Sequence, residues 1–292
     1  MENTSLTEDS VIKTFEIART YACLFGLVLA IIGIFLNILT YKTAKFLGKF
    51  NSSIVLIQLL AIWDSIAIIQ DGIVNLGGKY FGIDVTKVEI ICEFYYFHSF
   101  GSSHVASYHL VALVIDRFIA IKFPVWYRLN GTPRFAYITS IAITVAAYIL
   151  SIPSVYFFSL EDGVWFLSYV VYSSLPFSLI FIFNFYFIYY LTTMRKVKST
   201  SERDSQNRNM ALMLTTVSIS FLIFTLSCGL LLFWYFNFTV KTDRDAALAN
   251  LIEVGFEIPA IFNSSLNFIF FYFSGRGYRV ASAKMISSLV SN

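Results

Sequence analysis

The sequence predicts an all-α fold, a bundle of seven membrane-spanning helices followed by a short amphipathic eighth helix. Three observations point there. Of 292 residues, 57% are hydrophobic and only 13% charged, with a mean hydropathy of +0.70, whereas soluble domains carry about 25% charged residues. Seven separate stretches are apolar over the roughly 20 residues that a helix needs to cross ~30 Å of hydrocarbon. Basic residues, finally, crowd into every second connection.

The chain opens with "MENTSLTEDSVIKTFEIART", which lacks the basic start, short apolar core and small-residue cleavage site of a signal peptide. Residues 1–19 are therefore expected to remain as an outer N-terminal segment. The membrane domain covers 20–273, with spans near 20–42, 53–76, 90–121, 135–157, 165–194, 209–236 and 247–273. The third and fifth are long enough to tilt or protrude. In the remaining stretch, 274–292, Tyr278, Ala281, Met285 and Leu289 recur at helical spacing opposite Arg276, Arg279 and Lys284. That is the pattern of a helix lying in the membrane interface.

Orientation follows from charge. One set of loops holds Lys42, Lys45, Lys49, Lys122, Arg128, Arg134, Arg195, Lys196, Lys198, Arg203, Arg208, Arg276, Arg279 and Lys284, against Glu202 and Asp204. In the other set acids outnumber bases, with Asp71, Asp84, Glu89, Glu93, Glu161, Asp162, Glu253 and Glu257 among them. The positive-inside rule puts the first set in the cytoplasm and the N-terminus outside, as in a multi-pass plasma-membrane protein. Sequons at Asn3 and Asn237 then face outward as glycosylation candidates.

The segment "VALVIDRFIAIKFP" sets an Asp-Arg pair, Asp116 and Arg117, in an apolar run. A charge at the centre of a span costs ~2.5 to 3.5 kcal/mol, but this topology places the pair at the cytoplasmic end of span 3, where a long side chain reaches water. Cys92 lies twenty-five positions before Arg117 and Pro124 seven after it. "LNILTY" supplies Asn37, "LLAIWDS" supplies Asp64, and Pro153 and Pro176 fall within spans 4 and 5. Span 7 ends "NSSLNFIFFYFSGRGYR".

In order and spacing these residues resemble the rhodopsin-like (class A) G-protein-coupled receptors across nearly the whole chain. Phe118 stands where that family's Asp-Arg-Tyr has Tyr, and Asn267, Phe268 and Phe271 where it has the Asn, Pro and Tyr of Asn-Pro-x-x-Tyr. The resemblance implies a switch made of Asp116, Arg117, Phe118, Pro124, Asn267 and Phe271. Asp116 would hold Arg117 at rest, and Arg117 would meet a heterotrimeric G protein when span 6 swings outward. It implies a central polar network of Asn37, Asp64, Ser264 and Asn267, in which a sodium ion often sits on the acid, although Ala106 replaces the Ser usual in span 3. No other cofactor and no nucleic-acid partner is implied.

An outer cavity would be lined by Phe97, His98, Ser99, Ser103, Trp165, Thr225, Cys228, Glu253 and Glu257. Ser99, Ser103 and Ser107 share one face of span 3. The polar residues of that span serve equally as packing for a central helix, where small side chains allow close approach. An amine ligand is marked down because Ser99 stands where amine receptors carry Asp, and an opsin because span 7 has no Lys for a Schiff base. The endings of spans 5 and 7 look most like invertebrate FMRFamide-type neuropeptide receptors and related nematode chemoreceptors. An acidic, aromatic outer surface suits a basic peptide end or forms an ordinary interface belt. A small-molecule chemosensory receptor, or a transporter or channel, is the alternative; no internal repeat supports the latter. Metalloprotease and Gly-x-Ser-x-Gly motifs are absent, and no enzyme is expected.

Two departures stand out. The second outer loop has no Cys to pair with Cys92, which is expected to remain a thiol. Span 6 has Phe224, Thr225, Leu226 and Ser227 where the family carries Cys-Trp-x-Pro, so its hinge is left to Ser227 bonding back one turn and to Gly229.

Overall fold

The computed structural model describes residues 2–47, 51–83, 89–156, 174–194, 202–237 and 240–290. Trp165, Glu161 and Asp162 lie outside the described residues, as do the side chains of Asn3 and Asn237. Helices and the turns between them make up all of it, and no strand occurs among the described residues.

Span 1 is one helix, Glu2–Ala44, so it continues outward well past the expected start. Lys42 sits in its last turn, where a cation suits the helix dipole. Span 2 begins at Ser52, capped by Asn51, whose side-chain oxygen accepts from the Ile54 N–H at 3.2 Å. It runs as an α-helix to Ile68, and then Ile69–Gly77 winds as a π-helix before a last short turn, Gly78–Phe81. Span 3 is Glu89–Lys122, and Pro124, at the first position of the inner helix Pro124–Asn130, restarts the chain where its missing N–H does no harm. Span 4 is Pro133–Tyr156.

Spans 5 and 6 are Leu175–Met194 and Glu202–Asn237. Span 7 opens at a capping box in which Thr242 accepts from the Asp245 N–H and Asp245 accepts from the Thr242 N–H, both at 3.1 Å. Helix Asp243–Ser265 then bends by 44° into Asn267–Ser274. The bend forms without the family proline. Ser265 donates back to the Ile261 carbonyl at 2.6 Å, an insertion that loosens a helical turn. After Gly275 comes the eighth helix, Arg276–Val290. It buries Tyr278, Ala281 and Met285 as expected, but against the protein: Thr43 of span 1 donates to the Met285 sulfur at 3.5 Å.

Four helices are each long and apolar enough to cross a membrane, and the bent pair makes a fifth. The described parts of spans 5 and 6 contribute the shorter apolar stretches Leu175–Tyr186 and Thr215–Leu231. Burial separates centre from rim: the apolar windows of spans 2 and 3 are 67% and 61% buried, that of span 4 only 22%. Ile138, Ile141, Val145 and Ile149 of span 4 and Phe25, Val28, Ile32 and Phe35 of span 1 are exposed. In water such stripes would be a liability; in lipid they are the solvated face.

Small residues set the spacing between helices. A Cβ at Gly72 would lie 2.3 Å from the Ala30 Cβ, so spans 1 and 2 touch where neither carries a larger side chain. Gly72→Val must push the two helices apart, and a loss of about 1 to 3 kcal/mol is expected. Thermal melting in detergent would show it as a lowered midpoint that Ala30→Gly partly restores. An unchanged midpoint would place this contact wrongly.

Candidate functional site

At the Lys122 end of span 3, Asp116 is 4% exposed and serves as an acceptor hub. Ser52 donates to its Oδ1 at 2.5 Å, Ser53 to its Oδ2, and Tyr127 of the inner helix to Oδ2 at 3.0 Å. Both serines also lie within hydrogen-bond distance of the Tyr127 hydroxyl, at 2.9 and 2.8 Å. Burial pushes the Tyr127 phenol up, against the lowering field of Arg117, so it remains a neutral donor.

This corrects the expected tether, because Asp116 and Arg117 form no ion pair. Successive residues of a helix point in different directions, and the carboxylate faces span 2 instead. Arg117 is 8% exposed, and its Nε has no hydrogen-bond partner among the described residues. Phe118 packs edge-on against Phe183 and Tyr186 of span 5, at 5.5 and 6.4 Å between centroids. Pro124 contributes by starting the helix that delivers Tyr127.

At mid-depth, Asn267 donates to Asp64 at 2.6 Å, and the Ser264 side chain also bonds that carboxylate. Asn37 joins one step removed, donating to the Ser264 carbonyl at 3.0 Å. Asp64, Ser103, Ser107, Asn263 and Ser264 line one cavity, with Phe221 of span 6 at its side. Phe271 packs on Tyr278 at 5.5 Å, tying the end of span 7 to the eighth helix. A carboxylate with serine hydroxyls around it supplies oxygen donors of the kind a hard cation takes. The residues therefore fit a sodium ion, with Ser103 and Ser107 offering hydroxyls despite Ala106.

Besides Asp64, two more acids have hydrogen-bond partners between spans, Glu257 from the expected outer cavity and Asp71, which was not placed in it. Asp71 accepts from Ser99 at 3.1 Å, and Glu257, 8% exposed, accepts from Asn75. One turn further out, Lys79 pairs with Glu253 at 2.7 Å. Asp71, Asn75 and Lys79 are spaced by four, so they lie along one side of span 2. The signal for Asp71 and Glu257 was spacing: Asp71 follows Asp64 by seven and Glu257 precedes Ser264 by seven. Two helical turns keep each pair on one face.

The other pocket candidates divide. Thr225 and Cys228 are buried on span 6, with Cys228 in electrostatic range of Glu257 and Asp71. Ser103 belongs to the central cavity. Phe97 and His98 turn away: His98 Nδ1 is 2.6 Å from the Tyr148 hydroxyl of span 4, and Phe97 meets the same ring at 5.3 Å. His104 and His109 likewise meet Ser151 and Ser140 of span 4, at 3.0 and 2.8 Å. All three histidines thus bind spans 3 and 4 together.

The Asp116 hub, Asp64 at mid-depth and the acids beside Lys79 thus lie along one bundle of helices. The family model for the 7 transmembrane receptor (rhodopsin family) matches residues 38–270. The chain belongs to that family. Among curated proteins, the B1 bradykinin receptor of Macaca fascicularis is 24% identical over 193 residues, covering 58% of this chain and 55% of the relative. The chain thus spans about half the length of the curated relative it matches.

Against that family, the receptor's span 6 is altered most. It is a continuous helix from Glu202 to Asn237, and Ser227 donates to the Ile223 carbonyl at 2.8 Å, the back-bond that stands in place of the proline. The three cysteines form no disulfide with one another, and Cys23 and Cys228 are buried on separate spans.

Proposed function

We propose that the protein is a plasma-membrane receptor, its N-terminus outside, that binds an extracellular ligand in the outer recess and signals through a heterotrimeric G protein. The observation that carries this reading is the polar cavity that Asp71 and Asp64 share in the middle of the bundle. Asp71, Asp64 and Phe221 line one cavity, Asp64 binds Asn267, and the Asp116–Arg117 motif lies beyond. A ligand that prefers one arrangement of the outer recess can thereby bias the inner end, which is all that a two-state receptor requires. Outward movement of span 6 would then open Arg117 to the G protein.

The ligand is a peptide, or a small molecule, with a basic group. Asp71 and Glu257 are hydrogen-bonded to the neutral partners Ser99 and Asn75, whereas Lys79 in this region forms its ion pair with Glu253. The name of the B1 bradykinin receptor attaches a peptide to that relative, which favours a peptide here; a neuropeptide of the FMRFamide type combines a basic and an aromatic end.

A screen of amidated basic peptides and small odorants in cells carrying a promiscuous Gα tests the proposal. An agonist should be found whose response Arg117→Ala abolishes without loss of surface expression, and a response indifferent to that change would count against the assignment. Sodium at Asp64 is tested with the same agonist: raising sodium should weaken its binding, and Asp64→Asn should remove that dependence. If binding ignores sodium in the parent receptor, the ion has no place there.

A further inference from the structure

Span 5 reads "LPFSLIFIFNFYFIYY", and within it Asn184 is an amide among aliphatic and aromatic side chains. It is 7% exposed. Its Nδ2 donates twice: to the Ile180 carbonyl of its own helix at 2.9 Å, and across to Ser218 Oγ of span 6 at 2.5 Å. The first bond survives any movement of span 5 as a body; the second exists only while span 6 stays beside it. Ser218, 8% exposed, lies three residues from Phe221, and so on the same side of span 6 as the ring that flanks the Asp64 cavity.

Span 6 has neither proline nor tryptophan at its mid-depth and runs as an uninterrupted helix, and Asp116 and Arg117, both on span 3, make no bond to it among the described residues. We propose that the Asn184–Ser218 hydrogen bond is the resting latch of span 6, and that releasing it is a step of activation. The inference rests on the reading that span 6 moves outward, and it adds the contact that opposes the movement. Because Phe221 and Ser218 share a face, displacement of the ring at the cavity is transmitted to the latch within one turn. A buried interhelical bond of this kind changes an equilibrium by a factor of roughly 3 to 30.

The test is a distance measurement on the full receptor in lipid nanodiscs, with spin labels on Lys122→Cys and Thr215→Cys in a Cys92→Ser background. Without ligand, the short-distance population between spans 3 and 6 should dominate. Ser218→Ala and Asn184→Leu should each raise the long-distance share about 3- to 30-fold relative to the short. Ser218→Thr, which keeps the hydroxyl, should restore it, and the double variant should do no more than either alone. An unchanged distribution in Ser218→Ala, or a double variant whose effects add, would overturn the latch. Agonist-free nucleotide exchange on Gα separates the two ideas. Shifted distances without exchange uphold the latch and remove the G-protein reading, whereas raised agonist-free exchange in Ser218→Ala with unmoved distances does the reverse.

Discussion

Asp116→Ala is expected to destabilise the receptor by about 3 to 5 kcal/mol, the cost of breaking a buried charged network by removing one member. The carboxylate accepts from Ser52, Ser53 and Tyr127, and hydrogen bonds to a charged acceptor are each worth about 1.5 to 3 kcal/mol. The sum is reduced because the two serines and Tyr127 still reach one another. Asp116→Asn keeps one acceptor oxygen and should cost about half as much. Tyr127→Phe removes a single donor and should cost about 1 to 2 kcal/mol. Arg117→Ala, by contrast, should move the melting midpoint little, because no bond between Arg117 and Asp116 is lost. Thermal melts in detergent read all four. Equal losses for Asp116→Ala and Arg117→Ala would restore the direct tether that the geometry rejects.

Glu257→Gln is expected to lower the potency of a basic agonist about 30-fold or more, since unpairing a buried charged partner costs about 2 to 5 kcal/mol. Glu257 is 8% exposed and accepts from Asn75, so its carboxyl group is held toward the outer end of span 7 where a cationic group could meet it. Glu253 differs. It is held by Lys79 and 29% exposed, and Glu253→Gln should change potency by less than about threefold, as expected of a screened surface charge. Competition binding on membranes with one basic peptide and its neutral analogue distinguishes the cases. A Glu257→Gln receptor that binds the basic form undiminished would remove this acid from the recess.

What the sequence made legible was whatever hydropathy and fixed spacing encode. Seven apolar stretches and the alternation of basic loops are summed over many residues, so no single side chain can mislead them. Asp64 and Asn267 were legible because an ionisable group in a span must find a partner, and the structure joins them at 2.6 Å. The recess was not. Asp71, Asn75 and Lys79 fall near the expected outer end of span 2, where acids and bases read as solvated, and composition does not tell that Asn75 and Lys79 would meet Glu257 and Glu253 of span 7.

The inner hub was misread for a simpler reason. Adjacent opposite charges invite pairing, yet helical neighbours diverge, so Asp116 found Ser52 and Ser53 sixty-four and sixty-three residues away along the chain. His98 shows the same limit, since its position on span 3 was clear but not that Tyr148 of span 4 would take it.

The central claim is that the acidic recess and the Asp116 hub face opposite sides of one membrane. Epitope tags at the two termini test it in intact and permeabilised cells: the N-terminal tag should be labelled without permeabilisation and the C-terminal tag only after it. Labelling of both tags in intact cells, or of neither, would put the two ends in one compartment and contradict the account.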